Sequence, residues 1–210
     1  MGTIIKHKAY AKIEAYARAE KKKGEIGGLL LGKLDGDGDV TIKDAILLKQ
    51  LKTDTSFEID DDALMDLTKN ASAKRLKSIV GWWHSHHTMS TFWSPTDVEC
   101  FKRICNLSGF CFGVVVAFGN GKKANMRMKS RVMIKNKKDQ LLDIDDIKVD
   151  IYREQDYVVD IKKLATEIKG MVSVDERPWI MCPTCSGHGE ILEEDLPPVF
   201  MTMDDFDYAR

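Results

Sequence analysis

The stretch SIVGWWHSHHTMSTFWSPTD, residues 78–97, decides how this chain folds. Ser78 to Trp83 is nearly all apolar, and Ile79, Val80, Trp82 and Trp83 are β-branched or aromatic. So short a run of such residues reads as a buried strand. It leads directly into His84-Ser85-His86. Side chains at i and i+2 of an extended chain stand on the same side, so both imidazoles face one point. Further on, Ser94-Pro95 opens a helix, because Ser is a good N-cap and Pro suits the first helical position. That helix turns Val98, Phe101, Ile104 and Cys105 inward. Asp97 falls in its first turn, where the positive helix end favours a carboxylate, and can swing back toward the strand. Two neutral imidazoles and one carboxylate are an N/N/O donor set for Zn²⁺. Three protein ligands leave a fourth position open, as in catalytic and not structural zinc sites.

Upstream, residues 6–23 are predicted helical: Tyr10, Ile13, Tyr16 and Ala17 recur at helical spacing, and Gly24 is the expected C-cap. Residues 25–34 read as a buried strand, Asp35–Asp39 as a tight turn, and 40–50 as the returning strand. Asp35, Asp37 and Asp39 imitate the opening of a calcium loop, but Val40 and Ile46 stand where that loop needs Gly and Glu, so a hairpin turn is the better reading. Phe57–Ile59 is a short strand and 60–76 a helix. Downstream, Phe110–Phe118 is the most apolar strand, Asn120-Gly121 turns into Ala124–Ile134, and Asp156–Lys169 is a last helix. Strands of this kind with helices packed on them predict an α/β fold, a mixed sheet or partly open barrel.

The chain has 210 residues, 32 basic against 33 acidic side chains, and a formal charge of −1. Near-neutrality gives no case for nucleic-acid binding. No segment reaches the roughly 18 apolar residues needed to span a bilayer, so no membrane role is expected. The N-terminus is too charged for a secretory signal. The 5 cysteines are then expected to be thiols or metal ligands in a reducing cytoplasm. The neutrality is an average: residues 171–210 hold 2 basic and 9 acidic side chains, leaving 1–170 basic. Two units are therefore expected, a body over 1–170 and an acidic extension over 171–210.

His84-x-His86, seven residues, Ser94, two residues, Asp97 resembles the JAMM motif of the MPN+ metalloproteases without a departure. Glu25-Ile26-Gly27-Gly28-Leu29-Leu30-Leu31-Gly32 is similar to the upstream glutamate context of that family, and so is the lead-in Gly81-Trp82-Trp83. The resemblance covers roughly residues 5–170. Many members have Pro after the second histidine; here it is His87. The resemblance implies an MPN-type, cytidine-deaminase-like fold, with His84, His86 and Asp97 holding Zn²⁺, Glu25 as general base and Ser94 donating to the oxyanion. It implies hydrolysis of an isopeptide or peptide bond at the C-terminus of a ubiquitin-like protein. A non-catalytic scaffold and an amidohydrolase of small or cell-wall peptides remain as alternatives.

Trp93, beside Ser94, and His87, beside the histidine pair, are the candidate substrate contacts. In the extension, Cys182-Pro183-Thr184-Cys185-Ser186-Gly187-His188-Gly189 matches one copy of a Cys-x-x-Cys-x-Gly-x-Gly zinc unit. Cys182 and Cys185, with His188 as third ligand, form a candidate second metal site whose fourth ligand must come from elsewhere. Cys100, Cys105 and Cys111 read as packing thiols. The acidic end, with Phe200, Met201, Met203, Phe206 and Tyr208 interspersed, is where a protein partner or self-association is expected.

Overall fold

The computed structural model describes residues 2–20, 24–36, 38–53, 56–86, 88–119, 125–152, 158–174, 179–181 and 190–192. The chain divides into two compact units, Met1–Val174 and Asp175–Arg210.

The first unit is built on a mixed eight-stranded sheet in the order β10-β1-β3-β2-β6-β7-β8-β9. Its strands are β1 (Thr3–Lys6), β2 (Gly27–Leu34), β3 (Val40–Leu47), β6 (Ile79–Ser85), β7 (Phe110–Phe118), β8 (Met126–Lys135), β9 (Leu141–Asp145) and β10 (Asp150–Tyr152). A smaller sheet, β11-β4-β5, joins β4 (Gln50–Lys52), β5 (Phe57–Ile59) and β11 (Val172–Val174). The helices are α1 (His7–Ala19), α2 (Asp61–Asn70), α3 (Ala73–Leu76), α4 (Pro95–Ser108) and α5 (Ile161–Met171). The α/β mixed sheet expected from the sequence is the architecture found.

Alternation along the central strands sorts side chains between the two faces. On one face Trp83, Phe112, Val114 and Val116 meet Ala9, Ile13, Tyr16 and Ala17 of α1 and Leu164 and Ile168 of α5. Tyr16 stacks on Trp83 with ring centroids 5.8 Å apart. On the other face Trp82, Cys111 and Met133 meet Phe101 and Cys105 of α4. His84 lies two residues beyond Trp82 and stacks on it at 4.8 Å, so the histidines emerge on the α4 face. β6 and β7 run parallel, with Trp82 opposite Gly113 and His84 opposite Val115. The crossover between them is α4, whose N-terminus sits at the carboxyl end of β6. Open α/β sheets place their ligand sites at such strand ends.

Several boundaries differ from the sequence reading. β1 precedes α1, with Lys6 as its last residue, and pairs in parallel with both β3 and β10. The helix expected over 60–76 is two helices, because Ala71 is extended (φ −78°, ψ 141°) and Ser72 caps α3 by accepting from Arg75 N. Gly24 lies beyond the end of α1 at φ 127°, where a Cβ would fall 2.4 Å from Thr53 O. The Asp35–Asp39 turn closes as expected, Asp35 N donating to Asp39 O at 2.9 Å. A buried ion pair between Lys52 and Glu20 ties β4 to the end of α1. In the second unit, β12 (Trp179–Met181) pairs antiparallel with β13 (Glu190–Leu192). No described helix is long and apolar enough to cross a membrane.

Candidate active site

The end of β6 delivers both histidines to one point: His84 Nε2 and His86 Nε2 are 2.9 Å apart. Both side chains are buried. His86 Nδ1 lies 3.1 Å from Ser90 O. A carbonyl only accepts, so that nitrogen carries the proton and Nε2 faces His84 as an acceptor. Burial first, and the neighbouring His86 second, push the pKa of His84 well below the ordinary 6.5, so this imidazole is neutral.

Asp97 arrives from the first turn of α4. Ser94 Oγ accepts from Asp97 N at 3.1 Å, and Ser94 N donates to Asp97 Oδ2 at 2.7 Å. This reciprocal capping box satisfies two otherwise orphaned helix donors. The Ser94 hydroxyl also donates to Oδ2 at 2.8 Å. The serine thus aims the aspartate at His84, whose Nε2 lies 3.6 Å from Oδ2.

Glu25 sits just ahead of β2 and is 6% exposed. Its Oε1 is 3.9 Å from His86 Nε2. Burial, then the negative charge of Asp97, raise its pKa from 4.5 to about 8. Ser85, between the histidines, holds the adjoining backbone: its N donates to Ile26 O at 2.9 Å and its Oγ accepts from Ile26 N at 3.2 Å.

The donor set fits a divalent metal. Among the described residues, His84, His86 and Asp97 form the cluster of potential ligands, their ligand atoms within 4.8 Å of one another. Two nitrogens bound to one tetrahedral zinc lie about 3.3 Å apart, so the 2.9 Å approach is compatible with a shared ion. His84 Nδ1 is buried without a hydrogen-bond partner, which leaves Nε2 as its functional atom.

Trp93 packs inward, 5.0 Å from the Phe101 ring, 6.0 Å from Trp82 and 5.6 Å from His84. The more exposed aromatic beside the site is its neighbour Phe92, 4.5 Å from the His86 ring. Phe57 of β5 lies 6.2 Å from His84 on another side. Neither Phe92 nor Phe57 was singled out in the sequence. Phe92 adjoins Trp93 and offered a local signal, but Phe57 reaches the site only through the path of β4 and β5. His87, Cys182, Cys185 and His188 lie outside the described residues.

Residues 3–108 match the model of a family described as JAB1/Mov34/MPN/PAD-1 ubiquitin protease. The chain belongs to that family. Ubiquitin carboxyl-terminal hydrolase RPN11 of Saccharomyces cerevisiae is 32% identical over 96 residues, 44% of this chain and 31% of that protein. COP9 signalosome complex subunit 5b of Arabidopsis thaliana is 38% identical over 79 residues, 36% of this chain and 22% of that protein. The matched stretches thus span under a third of these relatives. The solution structure of a Desulfitobacterium hafniense protein is 21% identical, covering 73% of this chain and 95% of that one at a TM-score of 0.48.

Proposed function

We propose that the chain is a zinc-dependent hydrolase that cuts an isopeptide or peptide bond at the C-terminus of a ubiquitin-like protein. The observation that carries this reading is the meeting of His84 Nε2, His86 Nε2 and Asp97 Oδ2 with the Glu25 carboxylate 3.9 Å from His86. His84, His86 and Asp97 hold the ion. When bound, Zn²⁺ supplies Lewis acidity, making water acidic near neutral pH and polarising the scissile carbonyl.

Glu25 takes the proton of the attacking water and passes it to the leaving amine. A carboxylate with a pKa of about 8 in the metal-free site is a competent base once a nearby cation draws that value down. Ser94 caps α4 and, when its hydroxyl turns from Asp97 toward substrate, donates to the developing oxyanion. Asp97 keeps the Ser94 N–H bond during that turn, so its aim is preserved. β5 is an edge strand of the smaller sheet, and Phe57 brings it beside His84. An extended substrate tail adds there through main-chain hydrogen bonds, flanked by Phe92 and Trp93. His87 is a second proposed substrate contact. Relatives named as subunits of the COP9 signalosome support a partner protein for this chain as well. The body over 1–170 carries the chemistry, and Cys182, Cys185 and His188 of the extension bind a second metal.

The test is hydrolysis of a fluorogenic C-terminal amide of ubiquitin before and after chelation. Activity that disappears with the chelator and returns with Zn²⁺ supports the reading. A zinc-loaded chain that hydrolyses neither this amide nor a ubiquitin-like fusion is a scaffold, and the proposal fails.

A further inference from the structure

We propose that Gln50 is a positioning residue for Glu25; this rests on the reading of Glu25 as general base. Among the described residues the Glu25 carboxylate makes no hydrogen bond, only its 3.9 Å approach to His86. Its placement therefore comes from the main chain of residues 25–27, and that segment is held from both sides. On the β6 side, Ser85 holds Ile26 through its N–H and its hydroxyl. On the other side the β3 ladder ends at the Gly28–Leu47 pair and leaves the edge of Gly27 open.

Gln50 fills that place with its side chain. A carboxamide has the donor and acceptor of a peptide group, and here it acts as one more rung of the ladder. Gly27 N donates to Gln50 Oε1 at 3.0 Å, and Gln50 Nε2 donates to Gly27 O at 2.8 Å. The second Nε2 proton goes to Leu48 O at 2.9 Å, in the bend that leads to β4. Gln50 is 1% exposed. A buried carboxamide is costly unless its groups are paired, and this one has both protons and its oxygen engaged. The end of β4 completes the hold, Thr53 O accepting from Glu25 N at 3.1 Å.

The same clamp sets the substrate edge. Gln50 pairs with Ile59, and Lys52 with Phe57, so β4 fixes where β5 lies. The Phe57 ring rests on Gly27, where an added Cβ would fall 2.1 Å from Phe57 Cζ. One side chain therefore registers the base and the edge strand against each other. Asn is one methylene too short to span this gap, and Glu has no proton for the Gly27 and Leu48 carbonyls. The metal ligands come from the end of β6 and from α4, across the Gly27–His84 pair from this rung.

The experiment compares the full chain with Gln50→Met, which keeps the volume and loses the hydrogen bonds, and with Gln50→Glu, which keeps only the acceptor. In Gln50→Met, amide hydrogen exchange at Gly27, which loses its acceptor, should quicken by about tenfold, the effect of one lost hydrogen bond, and that at Ile26 by less. Exchange in β7 should not change, and zinc affinity by competition should stay within about threefold of the parent. The kcat for the ubiquitin amide should fall by about 10 to 100-fold, as for a base displaced by about 1 Å, and KM should rise as β5 shifts with β4. In a Glu25→Asp background, where the carboxylate is already set back, Gln50→Met should cost less than about threefold. A purely structural role would give the same factor in both backgrounds and overturn the proposal, as would unchanged exchange at 26 and 27. If Gln50→Met does not fold, Gln50→Glu carries the same tests. A parent rate retained by Glu25→Gln would instead sink the general-base reading, while the exchange data still decide the clamp.

Discussion

Gly113→Ala tests how α4 is held at the distance the site requires. Gly113 lies in β7 opposite Trp82, and the ring of Phe101 occupies the space a side chain would take. An added Cβ would sit 2.2 Å from Phe101 Cζ and 2.9 Å from Cε1. Carbon atoms rest at about 3.5–4.0 Å, so the ring must retreat by about 1.5 Å. It cannot do so freely, because Phe101 is fully buried and lies 5.4 Å from Trp82 and 5.0 Å from Trp93. The helix must move, and Asp97 lies one turn before Phe101. Overpacking of this kind costs about 1–3 kcal/mol. Displacing a ligand's support weakens metal binding by about 10 to 100-fold. Phe101→Leu removes the colliding ring edge at a cost of about 2 kcal/mol for the lost carbons. The double variant should be more stable than the sum of the singles by about 1 kcal/mol or more, and should regain most of the zinc affinity. Urea unfolding and zinc competition read both quantities. Additive destabilisation, or parent-like zinc affinity in Gly113→Ala, would refute the reasoning.

Three further outcomes are expected. Burial alone would raise the pKa of Asp44, but hydrogen bonds and charges from Lys8 and Lys12 outweigh it and hold the value below 3.8. A folded pKa below the unfolded one stabilises above about pH 3.8 and is lost as pH falls through the folded value. Asp44→Asn should therefore cost about 1 kcal/mol at pH 7 and almost nothing at pH 2; equal urea midpoint shifts at both would contradict the assignment. Ser94→Ala should lower stability by about 1 kcal/mol through the lost cap and reduce kcat by about 100-fold. A lower melting temperature with unchanged kcat would assign the serine to the cap alone. Joint Cys182→Ser and Cys185→Ser substitution should lower zinc stoichiometry while leaving hydrolysis of the ubiquitin amide in place, and an unchanged stoichiometry would remove the second site.

Local patterns were legible and distant pairings were not. β6, α4 and the Ser94 cap follow from a period of two, a helical face and an N-cap with proline, all within about thirty residues. For the same reason the sequence could propose that His84, His86 and Asp97 converge. Glu25 was found through its resemblance to a family motif, since nothing nearby reveals that it meets His86. Gln50 carried no signal at all: its partner is a glycine main chain 23 residues away. β1 and β10 were missed because four- and three-residue strands that pair in parallel with remote partners leave little pattern. The division of α2 from α3 was written in Ser72, an N-cap residue inside what reads as one helix.

Glu25 is the proposed proton carrier beside a metal that His84, His86 and Asp97 are proposed to hold. Glu25→Gln keeps the shape of the side chain and leaves His84, His86 and Asp97 in place. Zinc content and hydrolysis of the ubiquitin amide, measured on the same preparation, test it most directly. The prediction is parental zinc content with a rate lower by about 10²–10⁴-fold. Parental zinc content together with the parental rate would contradict it.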